Sequence, residues 1–345
     1  MEVSPPQGKR PWRVRRRNAI TAALICGLLV GLCAAGGAAS AAGESKGKKI
    51  LMAQSFIAHP YVATLVKSFR ERAESYGMDV TVQAAGFDAA LQARQIDDGI
   101  ARKYDLIVVQ AISEQGVLPS LARAKEAGIP IILTNNPIKA GTDDMDVTFV
   151  GQDQTEMGRI AGMAIVDALK ASGRDGGKVA LITGALSEGI GPRRLAGIKA
   201  ALAANPKIEI AATEDAHWDT ATSERIAGQL YARFAATGGL DLVYGMADNQ
   251  AVAAMKAAQA AGIAVGMGQK QLVIVGGNCL KEGIDAIKAG QMYATVSQIP
   301  TDLGTLAADA VNDYFAGKKL PKQDLLPVEM ITKANVDKWQ APCTY

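Results

Sequence analysis

At 345 residues the chain is long enough for two domains of ordinary size, and 49% hydrophobic with 21% charged content is the composition of a packed globular protein, which excludes a disordered one. The formal charge of +3 is unevenly placed: Lys9, Arg10, Arg13, Arg15, Arg16 and Arg17 against Glu2 fall within residues 1–42, so their loss leaves −2. No basic stripe remains after that, and with it goes any argument for nucleic-acid binding.

In chain order the basic run is followed by an apolar run from Ala19 to about Ala35 and a small-residue stretch, Gly36 to Gly43. This order predicts a secretory signal peptide over residues 1–42, cut near Ala41/Ala42. The alternative is an uncleaved membrane anchor, since Ala19 to Ala42 just reaches the length of a span, though diluted by Gly and Ala. Cys26 and Cys33 lack the small residue expected next to a lipidated cysteine, so a soluble product is expected. Cys279 and Cys343 remain. An oxidising compartment permits a disulfide between them, and spacing alone does not separate that pair from two unpaired thiols.

From Lys48 onward short β-branched runs alternate with amphipathic stretches of helical period, the signature of βαβ units on parallel sheets. Strands are predicted over Lys49 to Ala53, Asp79 to Ala84, Asp105 to Ala111, Ile129 to Thr134, Thr148 to Gly151, Lys178 to Thr183, Ile208 to Ala212, Asp241 to Gly245, Leu272 to Gly276 and Tyr293 to Gln298. Helices fill the gaps; one starts at Pro60 and stops at Gly77, another follows Asp248 and stops at Gly262. So many strands exceed one compact sheet and predict two lobes, with a break near Gly151-Gln152-Asp153. A closed eight-fold barrel is the rival, but neither a count of eight units nor a phosphate-type glycine loop is visible.

Enzyme chemistry finds little to stand on. The first βα turn, Gln54 to Pro60, contains no glycine, so the dinucleotide fingerprint is missing where it belongs. Walker, His-Glu-x-x-His and Gly-x-Ser-x-Gly motifs are absent, the histidines are His59 and His217 alone, and Cys279 has no histidine near it in sequence. No catalytic residue, metal ligand or cofactor is therefore assigned.

What the strand ends carry is polar and aromatic: Ser55, His59 and Tyr61, then Asn135 and Asn136, Arg193 and Arg194, His217, Trp218 and Asp219, Asp248 and Asn249, Asn278, and Gln298. In open parallel sheets ligands lie beyond the carboxyl ends of the strands. Amides and one guanidinium supply paired donors and acceptors for hydroxyls, while aromatic faces cover the apolar face of a ring, so the set suits a polyhydroxyl ligand. Each residue also has a plainer role open to it. His59 can be a surface residue ahead of a helix, Trp218 a packing residue, Arg193 a solvated one, and Asp248 a helix cap.

Taken in order, Lys49 to Tyr61 with Ser55 and His59-Pro60-Tyr61, Ala127-Gly128-Ile129-Pro130-Ile131, Gly151-Gln152-Asp153, Arg194-Leu195-Ala196-Gly197-Ile198, Ile274-Val275-Gly276, Ala294-Thr295-Val296-Ser297-Gln298 and Thr332-Lys333-Ala334-Asn335-Val336 resemble the periplasmic ribose-binding and related pentose/hexose-binding proteins of ABC transporters, which share the fold of the ligand-sensing half of LacI-type repressors. The resemblance covers nearly all of 48–335. It implies an α/β fold of two doubly wound parallel-sheet lobes joined by a three-crossover hinge: an N-terminal lobe of 48–152 plus 299–329 and a C-terminal lobe of 153–298 plus 330–345, with crossovers near Gln152-Asp153, Gln298-Ile299 and Glu329-Met330.

By the same resemblance the protein is a periplasmic, monomeric solute-binding component that closes on a monosaccharide or sugar-like polyol and hands it to a membrane permease. A ligand-presenting sensor for a chemoreceptor or kinase is the alternative; a cytoplasmic repressor is disfavoured by the export signal. The family's sugar contacts fall on Ser55, His59, Tyr61, Asn135, Asn136, Arg194, Trp218, Ala247, Asn278 and Gln298, to which the strand-end pattern adds Asp248. Tyr61 and Trp218 are expected to sandwich the ligand from opposite lobes. Three departures matter: Asn135-Asn136 replaces an Asp-Arg pair, Gly277-Asn278 an aromatic-Asp pair, and Ala247 an Asn. Charged acceptors bind hydroxyls by roughly 1.5 to 3 kcal/mol against about 0.5 to 1.5 for neutral ones, so losing two carboxylates argues against D-ribose and leaves a larger sugar, a polyol or a modified sugar open.

Overall fold

A computed structural model describes residues 44–142 and 144–345; the predicted signal peptide lies outside them. The first strand, β1 (Lys49–Gln54), is apolar on both sides: Ile50 and Met52 enter one core, Leu51 and Ala53 the other, and all four are fully buried. Double burial is the mark of a central parallel strand, and β1 pairs in parallel with both β2 (Asp79–Ala84) and β3 (Leu106–Val109). Then come β4 (Ile131–Thr134) and β5 (Thr148–Gly151), giving the order β2-β1-β3-β4-β5 with a late strand, β11 (Gln323–Leu325), added beside β5. Helices α1 (Pro60–Ser75) and α9 (Pro300–Phe315) pack against each other on one face of this sheet, while α2 (Ala89–Ala101) and α3 (Leu118–Glu126) cover the other.

The second sheet repeats the plan: β6 (Gly177–Thr183), β7 (Ile208–Asp215), β8 (Leu242–Gly245), β9 (Val273–Val275), β10 (Ala294–Val296) and β12 (Met330–Thr332), in the order β7-β6-β8-β9-β10-β12. One face carries α4 (Gln154–Ala171) and α5 (Ile190–Leu202); the other carries α6 (Thr220–Ala235), α7 (Asp248–Ala260), α8 (Lys281–Lys288) and the short α10 (Val336–Trp339). The chain passes between the sheets at 151–154, 296–300 and 325–330, so the two α/β lobes are joined by three strands of chain.

Two elements were not anticipated, β11 and β12, and both lie at this hinge. Each is three residues long and only partly buried, so neither shows the apolar run that marks the others. β12 runs antiparallel to β10 because the chain re-enters the second sheet straight from β11 with no helical crossover to reverse it. Several predicted strands are also trimmed, Tyr293 to Gln298 becoming Ala294–Val296 as the chain leaves the ladder for the hinge.

In both sheets the order reverses beside the first strand, between β1 and β3 and between β6 and β8. A crevice opens at such a switch point, at the carboxyl ends of the strands.

Candidate functional site

The loop after β1 carries Ser55, Phe56 and His59 to the crevice. The His59 ring caps α1, its Nδ1 accepting from the Tyr61 backbone N–H at 3.2 Å. Burial lowers the pKa of the ring, so it is neutral, and with Nδ1 accepting, Nε2 bears the proton and points to Asn249 Oδ1 in the other lobe at 3.4 Å. The turn after β4 places Asn135 in the left-handed region (φ 61°), a conformation asparagine tolerates better than most residues. From there an amide chain runs: the Tyr61 hydroxyl donates to Asn135 Oδ1 (3.3 Å), Asn135 Nδ2 to Asn136 Oδ1 (3.0 Å), and Asn136 Nδ2 to the Ala111 carbonyl (2.8 Å) and to Glu188 Oε1 (3.1 Å).

In the second lobe, α5 delivers Arg194. It can do so because α4 and α5 touch through glycines: a Cβ on Gly158 would run into the Arg194 carbonyl, and one on Gly197 into the Thr155 carbonyl. The guanidinium is buried and engaged in cross-links, donating from Nε to Gln154 Oε1 (2.8 Å), from Nη1 to the Met246 carbonyl (3.2 Å) and from Nη2 to Gln298 Oε1 (3.0 Å). Gln298 in turn donates to Asn135 Oδ1 and to Gln152 Oε1, each at 3.2 Å, so Arg194 fixes both lobes' amides through one hinge residue. Burial lowers its pKa, opposed by Tyr244, Tyr61 and Glu188.

Trp218 also has positive φ (64°) and lays its indole over Gly184, where no Cβ would fit. Its Nε1 donates to Glu188 Oε2 at 2.7 Å, and the Arg194 guanidinium lies 5.8 Å from its ring centre. With Asn278 (φ 71°), three non-glycine residues that line one crevice are held at positive φ, which marks strain that the surroundings must sustain.

These groups line a cavity of about 40 Å³. Nine of the eleven predicted contacts line it, Ser55, His59, Tyr61, Asn135, Asn136, Arg194, Trp218, Asn278 and Gln298, while the fully buried Ala247 does not. Nor does Asp248. It begins α7 and its carboxylate accepts from the Leu280 N–H (2.7 Å) and the Thr295 hydroxyl (2.6 Å), so it braces the loop beneath Asn278; burial pushes its carboxyl up to about 8. Tyr61 reaches the space, but its ring meets Tyr345 edge-on at 6.3 Å, and no ring contact with Trp218 occurs among the described residues. Arg193 is not a solvated helix-face residue: it pairs with Glu114 of the other lobe at 2.8 Å and donates to the Ile138 carbonyl at 2.9 Å.

Phe56, Gln110 and Glu188 are lining residues that strand-end reasoning missed. Gln110 falls inside the predicted strand Asp105 to Ala111, whereas β3 ends at Val109 and frees it. Its Oε1, and the hydroxyl of fully buried Ser55, have no hydrogen-bond partner among the described residues. Glu188 sits six residues before Arg194 in the β6–α5 loop; burial pushes its carboxyl up to about 7, against the donors Trp218 and Asn136. The cleft thus does contain one carboxylate acceptor. Among the described residues no cluster of His, Cys, Asp and Glu could hold a metal ion.

Comparison with known proteins agrees with this architecture. The periplasmic binding protein domain family matches residues 50–319. The ribose import binding protein of Haemophilus influenzae is 24% identical over 92% of this chain and 98% of its own length, and the D-allose-binding periplasmic protein of Escherichia coli is 26% identical over 77% and 84%. A solved ABC-transporter solute-binding protein from Mycobacterium smegmatis with bound glycerol superposes with a TM-score of 0.76 at 26% identity, covering 85% of this chain and 96% of that one. With matched sequence spanning both lobes and the cleft between them, the chain belongs to the periplasmic binding protein family.

Proposed function

We propose that this chain is the solute-binding component of an ABC importer and takes a neutral monosaccharide or polyol between its lobes. The observation that carries this reading is convergence. Side chains from both lobes, Ser55, Gln110 and Asn136 on one side and Glu188, Arg194 and Trp218 on the other, line one cavity. The unpartnered Ser55 hydroxyl and Gln110 carbonyl offer hydroxyl-sized hydrogen bonds at its floor, and Glu188 supplies a strong acceptor. Relatives that bind ribose or D-allose and a neighbour holding glycerol support the ligand class.

In this reading Trp218 covers the apolar face of the ligand, and contact with both lobes at once favours the closed state. Residues 1–42 are removed on export, leaving a monomer in the periplasm that presents its cargo to a membrane permease. A thermal-shift screen across pentoses, hexoses, inositols and linear polyols tests it, because a ligand at 100 times its Kd adds about 2.7 kcal/mol of stability. Trp218→Ala should weaken the best ligand at least tenfold. A screen in which no polyol raises the midpoint would defeat the reading.

A further inference from the structure

The segment that follows α10 takes part in no strand or helix, yet it ends against the site. Cys343 is fully buried and disulfide-bonded to Cys279, their Cα atoms 5.4 Å apart. Cys279 follows the cavity-lining Asn278, and the two are consecutive residues at positive φ, 71° and 58°. Such a pair is strained and persists only when the surrounding structure over-determines it. Its restraints are few enough to name. The Asp248 N–H donates to Asn278 Oδ1 (3.1 Å) and the Cys279 N–H to the Thr295 hydroxyl (3.2 Å). Two more come from the distant segment: the disulfide itself, and the Tyr345 hydroxyl, which donates to the Asn278 carbonyl at 2.8 Å with the Gln298 carbonyl at 3.4 Å.

Tyr345 also reaches the other lobe. Its ring packs on the first lobe's core and meets the Tyr61 ring edge-on, 6.3 Å between centres at 68°. Burial raises its pKa well above the ordinary tyrosine value, so the hydroxyl stays a donor throughout the physiological range.

We infer that residues 340–345 form a strap, pinned by the Cys279–Cys343 disulfide, in which Tyr345 is a positioning residue for the binding site, orienting Asn278, Gln298 and Tyr61 from behind the cavity without touching the ligand. The inference rests on the cleft being the sugar or polyol site. It predicts that the strap sets how long ligand stays bound, since it holds the site's geometry and adds nothing to the encounter.

The test uses the best ligand of the polyol screen, measured by calorimetry and stopped-flow tryptophan fluorescence on the full mature chain. Tyr345→Phe keeps the ring and removes one hydrogen bond, so Kd should rise about three- to tenfold, chiefly through faster dissociation. Cys279→Ser/Cys343→Ser should shift Kd in the same direction. Adding Tyr345→Phe to it should cost less than the product of the separate effects, because both act on Asn278. Far-ultraviolet dichroism and the unliganded thermal midpoint identify any variant that has merely lost its fold, and Tyr345→Phe provides the readout if the double serine variant does. Kd and dissociation rate within twofold of wild type in folded Tyr345→Phe, or strictly multiplicative effects, would overturn the strap while leaving the polyol reading intact. Absence of ligand binding by the wild type would instead remove the reading on which it rests.

Discussion

Glu188 shows how much one buried side chain can govern. Its carboxyl, pushed up to about 7 from 4.5 by burial and by Asp215, is opposed by the Trp218 and Asn136 hydrogen bonds and by the charge of Arg194. A group that holds its proton more tightly folded than unfolded contributes stability in full below the unfolded value and loses it as pH rises through the folded one. For Glu188 the window runs from about pH 4.5 to 7, and at full expression the difference amounts to about 3 kcal/mol. Asp248, raised to about 8, adds a loss in the same direction that continues higher. Glu188→Gln removes only the first contribution, so the variant's thermal midpoint relative to wild type should climb between pH 5 and 7.5 and then level. At pH 5 it should lie slightly lower, because an amide offers one acceptor where Trp218 Nε1 and Asn136 Nδ2 need two, a cost of about 1 kcal/mol. A midpoint difference that stays flat with pH would show that Glu188 does not titrate in this window. Glu188 was hard to read from sequence because it lies in mid-loop, neither at a strand end nor at a helix start. Asn135, Asn278 and Gln298 were readable because a polar residue within three positions of the end of an apolar strand has few places to point.

At the scale of elements, the helix contact that delivers Arg194 depends on atoms that are missing. Gly158 and Gly197 let α4 and α5 approach until backbone meets backbone, and Arg194 leaves α5 at that contact. Gly158→Ala should gain about 1 kcal/mol of helix propensity, yet its methyl enters the space of the Arg194 carbonyl and forces the helices apart. Overpacking of this kind costs typically 1–3 kcal/mol. The net expectation is a lower midpoint in urea together with a tenfold or greater rise in Kd, since the guanidinium that ties Gln154, Met246 and Gln298 together is displaced. A variant that is more stable and binds normally would mean that the contact does not set the position of Arg194. The two-lobed plan was legible because strands buried on both faces and capped helices repeat with a regular signature. β11 and β12 were not, since their pairing is decided by where the hinge brings the chain rather than by their own residues.

The whole molecule is poised by contacts that run from lobe to lobe. Arg193 reaches from α5 to Glu114 and to the Ile138 carbonyl, closing the lobes at the rim, while His59 and Asn249 meet across the cleft. With about a third of each side chain exposed, the Arg193–Glu114 pair contributes on the order of 0.2–1 kcal/mol, and the carbonyl hydrogen bond about as much again. Contacts of that size cannot hold the lobes shut alone, but they shift how often the unliganded protein is closed, and apparent affinity scales with that fraction. Arg193→Ala should therefore weaken binding about three- to tenfold with every ligand in the same proportion. The wild type should lose part of its advantage at high salt, where the pair is screened. Small-angle scattering should show a larger radius for the unliganded variant and superposable curves once both proteins are saturated. A ligand-selective loss would place Arg193 in the site itself, and unchanged scattering with unchanged Kd would remove the rim from the balance between open and closed forms.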